Sequence, residues 1–324
     1  MYKGKTIAIV IPCYNEEKQI GKVIATIPDY VDHLIIIDDQ STDRTKLVAE
    51  ELASKDKRVK IIIHQKNQGV GAAIASGYKW ARDHEVDIAV VMAGDAQMDP
   101  SQMPKLLDPI VLDKADYTKG NRLKYPSAYE MIPKTRFFGN QILSFFTKIA
   151  SGYWSISDAQ NGYTAINLKA LKAMDWDDMY KRYGQPNDLL VKLNIKNMRI
   201  CDCIMPPVYN VGEESKMKIS RVFITLPKLL LKLFLKRIFV KYMVQDFSII
   251  APLYYLGIFN FIIFLIFLVR TLVLFSIRST PEISFLTCLY TFQMSLFLTL
   301  IAMFFDMQQN KNLQPENATD DKDC

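Results

Sequence analysis

Two long stretches without a charged residue do most to limit what this chain of 324 residues can form. The first runs from Phe247 to Val269 and the second from Ile283 to Phe305, and each is 23 residues long. At about 1.5 Å per residue, a helix of this length crosses a hydrocarbon layer about 30 Å thick. The core helix of a soluble protein does not need so long an apolar surface. The sequence therefore predicts two transmembrane helices.

Charges next to these stretches predict their orientation. Eight Lys or Arg residues and no acidic residue lie in 216–241, whereas the connection 270–282 holds two basic residues. The positive-inside rule then predicts a cell-membrane protein whose N-terminal domain and C-terminal tail are cytoplasmic. The five cysteines show no disulfide-framework spacing, which fits a reducing compartment.

The basic residues before the first apolar stretch have a helical pattern. Lys228, Lys232 and Lys236 recur every four residues among Leu, Phe and Ile. Such a segment is typical of a helix that lies in the membrane interface, although a topology signal alone is the simpler alternative. Nucleic-acid binding is not expected of a stripe embedded in membrane-seeking residues. The predicted divisions are a domain over 1–216, a basic interfacial segment over 217–246, two membrane helices over 247–306 and a disordered polar tail over 307–324.

The N-terminal domain alternates short apolar runs with helical patterns. Runs that are β-branched and apolar on both faces predict buried strands, and their alternation with helices predicts a mostly parallel sheet, so the fold class is α/β. The predicted strands are 7–11, 34–37, 59–63 and 88–92, and the predicted helices are 16–27, 43–54, 70–84 and 101–113. Later elements are less regular: an amphipathic stretch at 136–150, a strand at 163–167, a helix at 186–197 and a strand at 199–205.

The glycine pattern argues against a dinucleotide site in this sheet. The first strand leads into "PCYNEE", which holds no glycine, and Gly69-x-Gly71 lacks the third glycine of the fingerprint. A P-loop is also absent from the sequence. Both nucleotide-binding motifs are therefore excluded.

Acidic residues follow three of the predicted strands. Glu16, Asp39 and Asp95 come after the first, second and fourth strands, at the edge where open α/β sheets bind ligands. Such carboxylates repel one another unless a cation or hydrogen-bond donors lie between them. The run "AGDAQMDP" at 93–100 suits a hydrated divalent cation that also carries phosphate oxygens, and a polar loop capping the next helix is the alternative.

The order of these motifs resembles a known family. "VIPCYNEE", "IIIDDQSTDRT", "NQGVGAAIASGY", "GDAQMDP" and "KGNR" resemble the motifs of family 2 glycosyltransferases with the GT-A fold. "DAQNGYTAI" and "VGEESKMK", followed by paired membrane helices, resemble the polyprenyl-phosphate hexosyltransferases, the branch that includes dolichyl-phosphate mannose synthase.

The resemblance implies a nucleotide sugar at the strand ends. Its nucleoside would contact Pro12, Tyr14, Glu16 and Asp39, and a divalent cation, Mg²⁺ or Mn²⁺, would be held by Asp95 and Gln97 beside the donor diphosphate. The family's first metal-binding Asp is replaced here by Ala93.

The resemblance also implies an acceptor phosphate held by basic residues. The positions that match are Arg122, which is also a catalytic candidate, Arg136 and Lys216. A catalytic carboxylate near the acceptor matches Asp158 or Asp188, with a loop cap and a helix N-terminal charge as their structural alternatives.

Three functions compete at this stage. The first is transfer of a hexose from a UDP- or GDP-sugar to undecaprenyl or dolichyl monophosphate, which supplies cell-surface glycan or glycoprotein assembly. The second is extension of a lipid-linked or polymeric saccharide, and the third is a catalytically weakened membrane scaffold. The implied partners are the nucleotide sugar, the polyprenyl phosphate and the bilayer, with self-association left open.

Overall fold

The structure is a computed structural model that describes residues 1–208, 219–277 and 282–315, with the backbone alone for 219–224. It divides into two compact units: Met1–Phe234 together with the described residues from Asn312 on, and Leu235–Lys311. The first holds the sheet and the second holds the two long apolar helices.

Seven strands form one mixed sheet in the N-terminal unit. They are β1 Ile7–Cys13, β2 His33–Asp38, β3 Val59–Ile63, β4 Ile88–Val91, β5 Tyr117–Asn121, β6 Thr164–Asn167 and β7 Ile200–Ile204. Their order is β3-β2-β1-β4-β6-β5-β7, and only β6 runs antiparallel to its neighbours. The mostly parallel α/β sheet predicted from the sequence is confirmed, and the carboxyl ends of the other six strands meet at one edge.

Helices connect and cover the strands. They are α1 Ile20–Ala25, α2 Thr45–Lys55, α3 Val70–Asp83, α4 Met103–Val111, α5 Ala128–Met131, α6 Lys134–Ser151, α7 Leu168–Ala173, α8 Gln185–Ile195, α9 Ile219–Phe239, α10 Ile250–Ser276 and α11 Glu282–Gln309. A single π-helical turn, Val240–Gln245, follows α9. The sequence patterns predicted most of these elements but missed α5, α7 and β5.

The sheet has an apolar layer on each face. Along β1, Ile7, Ile9 and Ile11 pack into one buried cluster, whereas Ala8 and Val10 pack into the other. This alternation follows from the two-residue period of a strand. Burial on both faces explains why the central strands have continuous apolar sequences.

The second unit contains two antiparallel helices that are long and apolar enough to cross a membrane. They are α10 and α11, of 27 and 28 residues. Ser295 Oγ donates a hydrogen bond of 2.9 Å to the Gly257 carbonyl, and Phe264 packs against Phe292 nearer the turn. Close approach at a glycine is typical of helix pairs in membranes.

Polar residues at the end of α11 are ordered rather than disordered. Arg237 makes two hydrogen bonds to the Asp306 carboxylate, at 2.7 and 2.9 Å, and Lys241 Nζ donates to Asn310 Oδ1 at 2.7 Å. These buried pairs stabilise the end of α11, which extends to Gln309, and a 3₁₀ turn follows over Lys311–Leu313. The sequence predicted disorder from residue 307 on, whereas the structure has helix and a 3₁₀ turn within 307–315. Composition alone does not reveal the partners that order these residues.

Candidate active site

A large cleft of about 970 Å³ opens at the carboxyl edge of the sheet. Loops that follow β1, β2, β4 and β5 line it, together with the loop before α8. Eight of the residues singled out from the sequence line this one cleft: Pro12, Tyr14, Glu16, Asp39, Asp95, Gln97, Arg122 and Arg136. Its size suits a ligand as large as a nucleotide sugar.

The loop after β1 is fixed by the loop after β2. The backbone N–H of Asn15 donates to Ser41 Oγ at 2.9 Å, and Asn15 Oδ1 accepts the N–H of Thr42 at 2.8 Å. The N–H of Glu16 donates to Thr45 Oγ1 at 2.8 Å. These bonds hold the backbone that presents Tyr14 and Glu16 to the cleft, so this wall is formed before a ligand arrives.

Three hydrogen-bond donors hold the Asp39 carboxylate in the cleft. Its Oδ1 lies 2.7 Å from His64 Nδ1 and accepts the N–H of Gln68 at 2.8 Å, while Oδ2 accepts the N–H of Gly69 at 2.7 Å. The other ring nitrogen of His64, Nε2, lies 2.9 Å from Ser76 Oγ, so the imidazole bridges Asp39 and α3. This network fixes the orientation of Asp39.

Two glycines let a distant loop approach this part of the cleft. Gly69 has a φ of +97°, and a Cβ there would lie 2.5 Å from the Lys181 carbonyl oxygen. A Cβ on Gly71 would clash with the Tyr180 carbonyl, and the Gly71 N–H donates to Lys181 O at 3.0 Å. The glycines noticed in the sequence therefore serve close backbone packing.

The loop after β4 presents one carboxylate and one amide. Asp95 Oδ1 accepts the N–H of Gln97 at 3.1 Å, and both side chains line the cleft. Asp99 accepts from the Ser101 N–H at 2.8 Å and caps the short 3₁₀ turn Pro100–Gln102. Asp99 therefore caps the turn that follows the run 93–100, and it also lines the cleft.

These residues fit a divalent cation that takes most of its ligands from a diphosphate and water. In the part of the chain that the structure describes, no three His, Cys, Asp or Glu side chains come together as a metal cage. Mg²⁺ commonly needs only one or two carboxylates when phosphate oxygens complete its shell. Asp95 and Gln97 supply that minimal set.

Arg122, which is partly exposed, forms an ion pair with the buried Asp158 at the cleft wall. Arg122 Nε and Nη2 donate to the two oxygens of Asp158 at 2.8 and 2.9 Å, and the Arg122 N–H adds a third bond at 3.0 Å. Burial alone would raise the pKa of Asp158, but the charge and hydrogen bonds of Arg122 hold this pKa below its ordinary value. Arg122 lines the cleft, whereas Asp158 lies fully buried behind it.

A buried lysine supports the same loop. Lys119 Nζ donates to the carbonyls of Ser157 and Asp158 at 2.5 and 2.8 Å and lies 3.5 Å from Asp202 Oδ1. Asp158 itself has a φ of +49°. The strained backbone of Asp158 is therefore held from both sides, which favours a role in positioning Arg122 over the acceptor-side role expected from the sequence.

Asp188 also points away from the cleft. Its Oδ2 accepts the N–H of Tyr180 and the ammonium of Lys192, each at 2.8 Å. Tyr180 lines the cleft, so Asp188 shapes the loop before α8 without being among the lining residues. Lys216, the third basic residue singled out from the sequence, lies outside the described residues.

Sequence reasoning missed three residues that belong to this cleft. Lys18 and Arg182 line it and add positive charge, and His64 orients Asp39 from behind. The only sequence signal for His64 was its place directly after β3. Lys18 and Arg182 lie in runs of charged residues that resemble ordinary surface segments.

The fold is that of the GT-A class. The structure matches that of glucosyl-3-phosphoglycerate synthase from Mycobacterium tuberculosis, solved with Mn²⁺, UDP-glucose and phosphoglyceric acid, with a TM-score of 0.55 at 20% identity. The match covers 72% of this chain and 80% of that protein.

The chain belongs to glycosyl transferase family 2, whose model matches residues 8–174. It is 35% identical over 214 residues to a UDP-N-acetylglucosamine–dolichyl-phosphate N-acetylglucosaminyltransferase of Methanococcus voltae, covering 60% of this chain and 85% of the relative. It is 26% identical over 219 residues to an undecaprenyl-phosphate mannosyltransferase of Micrococcus luteus, covering 65% of this chain and 87% of the relative. The resemblance predicted from the motifs is confirmed, and the protein is a family 2 glycosyltransferase.

Proposed function

We propose that this protein transfers a hexose from a nucleoside diphosphate sugar to a polyprenyl monophosphate at a membrane. The observation that carries the proposal is the single cleft that combines the fixed carboxylate Asp39, the Asp95–Gln97 pair and the guanidinium of Arg122. Relatives that act on dolichyl or undecaprenyl phosphate support the lipid acceptor. The two long apolar helices support a membrane location, and the basic residues before α10 support a cytoplasmic catalytic unit.

The hydrogen bonds of Asp39 favour a uridine donor over a guanosine donor. Oδ1 already receives two donors and Oδ2 receives one, so the carboxylate has room for one more. Uracil offers one ring N–H, whereas guanine offers a ring N–H beside an amino group and pairs best with both oxygens of a carboxylate. An Asp39 that is held in this way is therefore suited to uracil.

The acceptor needs little activation by the protein. A phosphate monoester is already ionised near neutral pH, so its oxygen can displace the nucleoside diphosphate at the anomeric carbon without a general base. The absence of Asp158 and Asp188 from the cleft lining is consistent with this chemistry. Positioning and charge stabilisation then provide most of the rate enhancement.

Cations on the cleft wall serve the two anionic groups of the reaction. Asp158 fixes the guanidinium of Arg122 through Nε and Nη2, and Arg136 lines the same cleft from the start of α6. A divalent cation bound by Asp95 and Gln97 would neutralise charge on the leaving diphosphate. The backbone N–H of Gln97 donates to Asp95 Oδ1 and so orients the carboxylate of Asp95.

A donor screen tests this function. Membranes that contain the protein are incubated with radiolabelled UDP- or GDP-sugars and undecaprenyl or dolichyl phosphate, and lipid products are separated by thin-layer chromatography. A monosaccharyl lipid that mild acid cleaves, made from UDP-sugars, supports the proposal. A longer saccharide identifies a chain-extending enzyme, and no product with any donor identifies a scaffold. A product formed only from GDP-sugars contradicts the donor assignment while retaining the reaction.

A further inference from the structure

The loop that enters β6 lies between the loops that carry Asp95 and Arg122. β6 runs antiparallel between β4 and β5, so the loop before it, 158–163, reaches the edge of the sheet at which β4 and β5 end. The loop after β4 presents Asp95 to the cleft, and the loop after β5 presents Arg122. Loop 158–163 is thus the part of the cleft wall that separates these two groups.

Contacts on both sides hold loop 158–163 in this place. On the side of β4, Tyr163 Oη donates to the Asp99 carbonyl oxygen at 3.1 Å. On the side of β5, the N–H of Gly120 donates to the Tyr163 carbonyl oxygen at 2.9 Å. A Cβ on Gly120 would lie only 2.7 Å from Asn161 Nδ2, so this close packing requires a glycine. The loop is therefore a formed wall.

Gln160 is the side chain of this loop whose amide is fixed from behind. It lines the cleft, and its Nε2 donates to Asn187 Oδ1 at 3.1 Å. Within the described part of the chain, no group donates to Gln160 Oε1. A primary amide whose N–H is held in this way has its carbonyl oxygen left as a hydrogen-bond acceptor. Gln160 is thus prepared to accept a bond from a ligand in the cleft.

Asn187 is fully buried in α8, and half of its amide is unpaired. Its Oδ1 accepts from Gln160 and lies 3.2 Å from Thr147 Oγ1 of α6. Its Nδ2 has no hydrogen-bond partner among the residues that the structure describes. A buried amide with an unpaired N–H costs stability, whereas a leucine of similar shape would not carry this cost. The cost indicates a role for Asn187 beyond support of the fold.

We propose that Gln160 recognises the sugar that is transferred and that Asn187 is the positioning residue that fixes its amide. The inference rests on the proposed function, because a donor diphosphate at Asp95 and an acceptor phosphate at Arg122 leave the sugar between them, against loop 158–163. The partner of Gln160 Oε1 is a sugar group that donates a hydrogen bond, a hydroxyl or an acylamino N–H. A site built to bond such a group discriminates against a sugar that lacks it.

Binding of nucleotide sugars to the full-length protein in detergent tests this role without an acceptor. Calorimetry measures the affinities for UDP-glucose, UDP-galactose, UDP-N-acetylglucosamine and GDP-mannose, each relative to the affinity for UDP or GDP. Gln160→Ala should weaken binding of the tightest nucleotide sugar about tenfold, because one hydrogen bond to the sugar is lost. The affinity for the free nucleoside diphosphate should not change.

Asn187→Leu separates positioning from folding. It should weaken binding of the same nucleotide sugar about fivefold without lowering the midpoint of thermal unfolding, since the unpaired N–H is removed. Combined with Gln160→Ala it should cause no further loss, because Asn187 acts through Gln160. Asn194→Leu is the matched control and should leave the sugar preference unchanged, since Asn194 is equally buried seven residues further along α8.

The opposite results overturn the proposal. If Gln160→Ala weakens UDP and UDP-sugars equally, or weakens neither, Gln160 does not contact the sugar, and this variant decides the point even where Asn187→Leu does not fold. Additive losses in the double variant, or a lower unfolding midpoint with an unchanged sugar preference, would give Asn187 a purely structural role. A wild-type protein that binds none of the nucleotide sugars contradicts both this inference and the proposed function. A protein that selects a sugar through Gln160 but makes no lipid product retains the inference and loses the function.

Discussion

At the scale of single residues, the cleft separates groups that would contact the ligand from groups that hold them. Asp95, Asp99 and Arg122 line the cleft, and Asp99 also caps the turn after it, while Asp158 and His64 act through the side chains they hold. This division gives each carboxylate a different expected response to the same chemical change, from Asp to Asn.

Asp95→Asn should nearly abolish sugar transfer. A neutral amide cannot offset the charge of the leaving diphosphate, and a loss of about a thousandfold corresponds to about 4 kcal/mol of transition-state stabilisation. Asp99→Asn is the matched control, because Asn is also a good helix cap and Asp99 caps the turn that begins at Pro100. Transfer rates measured over a range of Mg²⁺ and Mn²⁺ concentrations compare the two, and an active Asp95→Asn beside an inactive Asp99→Asn would contradict the metal assignment.

Asp158→Asn should lower transfer by about a hundredfold through loss of the fixed orientation of Arg122. Donor binding, measured by calorimetry with UDP, should change little. The pKa of Asp158 is held low, so its carboxylate stays ionised across neutral pH, and the variant should keep the shape of the wild-type pH profile. If the substitution instead removes an acid limb from that profile, Asp158 titrates during the reaction and is not a positioning residue.

At the scale of elements, the sequence predicts the strands that obey a simple pattern and misses those that depend on distant partners. β1, β2 and β4 are apolar and buried on both faces, and the partly exposed edge strand β3 is still rich in β-branched residues, so composition alone identifies all four. β5 reads "YTKGN", and its buried Lys119 is tolerated because carbonyls of the Asp158 loop and the Asp202 carboxylate surround it. The sequence around Lys119 does not reveal these partners, because they lie far away along the chain.

The same limit applies to the site. The carboxyl-edge position of Asp39 and Asp95 follows from the order of strands and was predicted. The pairing of Arg122 with Asp158 joins residues 36 positions apart, and that of Asp39 with His64 joins residues 25 apart. Whether a carboxylate faces a ligand or an arginine depends on these tertiary contacts.

An acid-sensitive ion pair ties the strand ends opposite the cleft. Asp116, directly before β5, accepts from the N–H and Nε of Arg199 and from Asn167 Nδ2. Burial alone would raise its pKa, but the bonds to Arg199 and Asn167 lower the pKa of Asp116 to about 2. A lowered carboxylate pKa contributes stability above the unfolded value near 4, and this contribution is lost as the pH falls toward 2.

Asp116→Asn should therefore destabilise the N-terminal unit at pH 7, because it removes the charge that pairs with Arg199. The expected loss is only about 1 to 2 kcal/mol, since water screens the partly exposed Arg199. The difference from wild type should shrink below pH 4. Thermal unfolding midpoints in detergent measure both effects. Asp113→Asn is the matched control, since exposed Asp113 pairs with the same arginine, and equal effects of the two substitutions would contradict the assignment.

At the scale of the whole molecule, the path of the chain constrains its membrane topology. α10 and α11 form an antiparallel pair, and the described residues after it, from Asn312 on, belong again to the N-terminal unit. Gln314 Oε1 accepts the N–H and hydroxyl of Ser155 at 2.6 and 2.8 Å. If both helices cross a bilayer, as we propose, the two ends of the helix pair lie on one side of it.

Epitope tags at the two chain ends should therefore be accessible from the same face, and the positive-inside rule predicts that this face is cytoplasmic. Protease digestion of tagged cells before and after permeabilisation measures accessibility. A tag inserted within 278–281, between the two helices, is the control and should be cut before permeabilisation. Opposite accessibility of the two terminal tags would contradict a two-crossing topology.

The same return of the chain has a consequence for biosynthesis. Leu313 packs against the core of the unit that the ribosome makes first, and Gln314 bonds to a serine 159 residues earlier. The rest of this unit emerges early, but the contacts of Leu313 and Gln314 form only after both apolar helices have been translated. The catalytic unit can therefore reach its complete fold only after the ribosome has made both apolar helices.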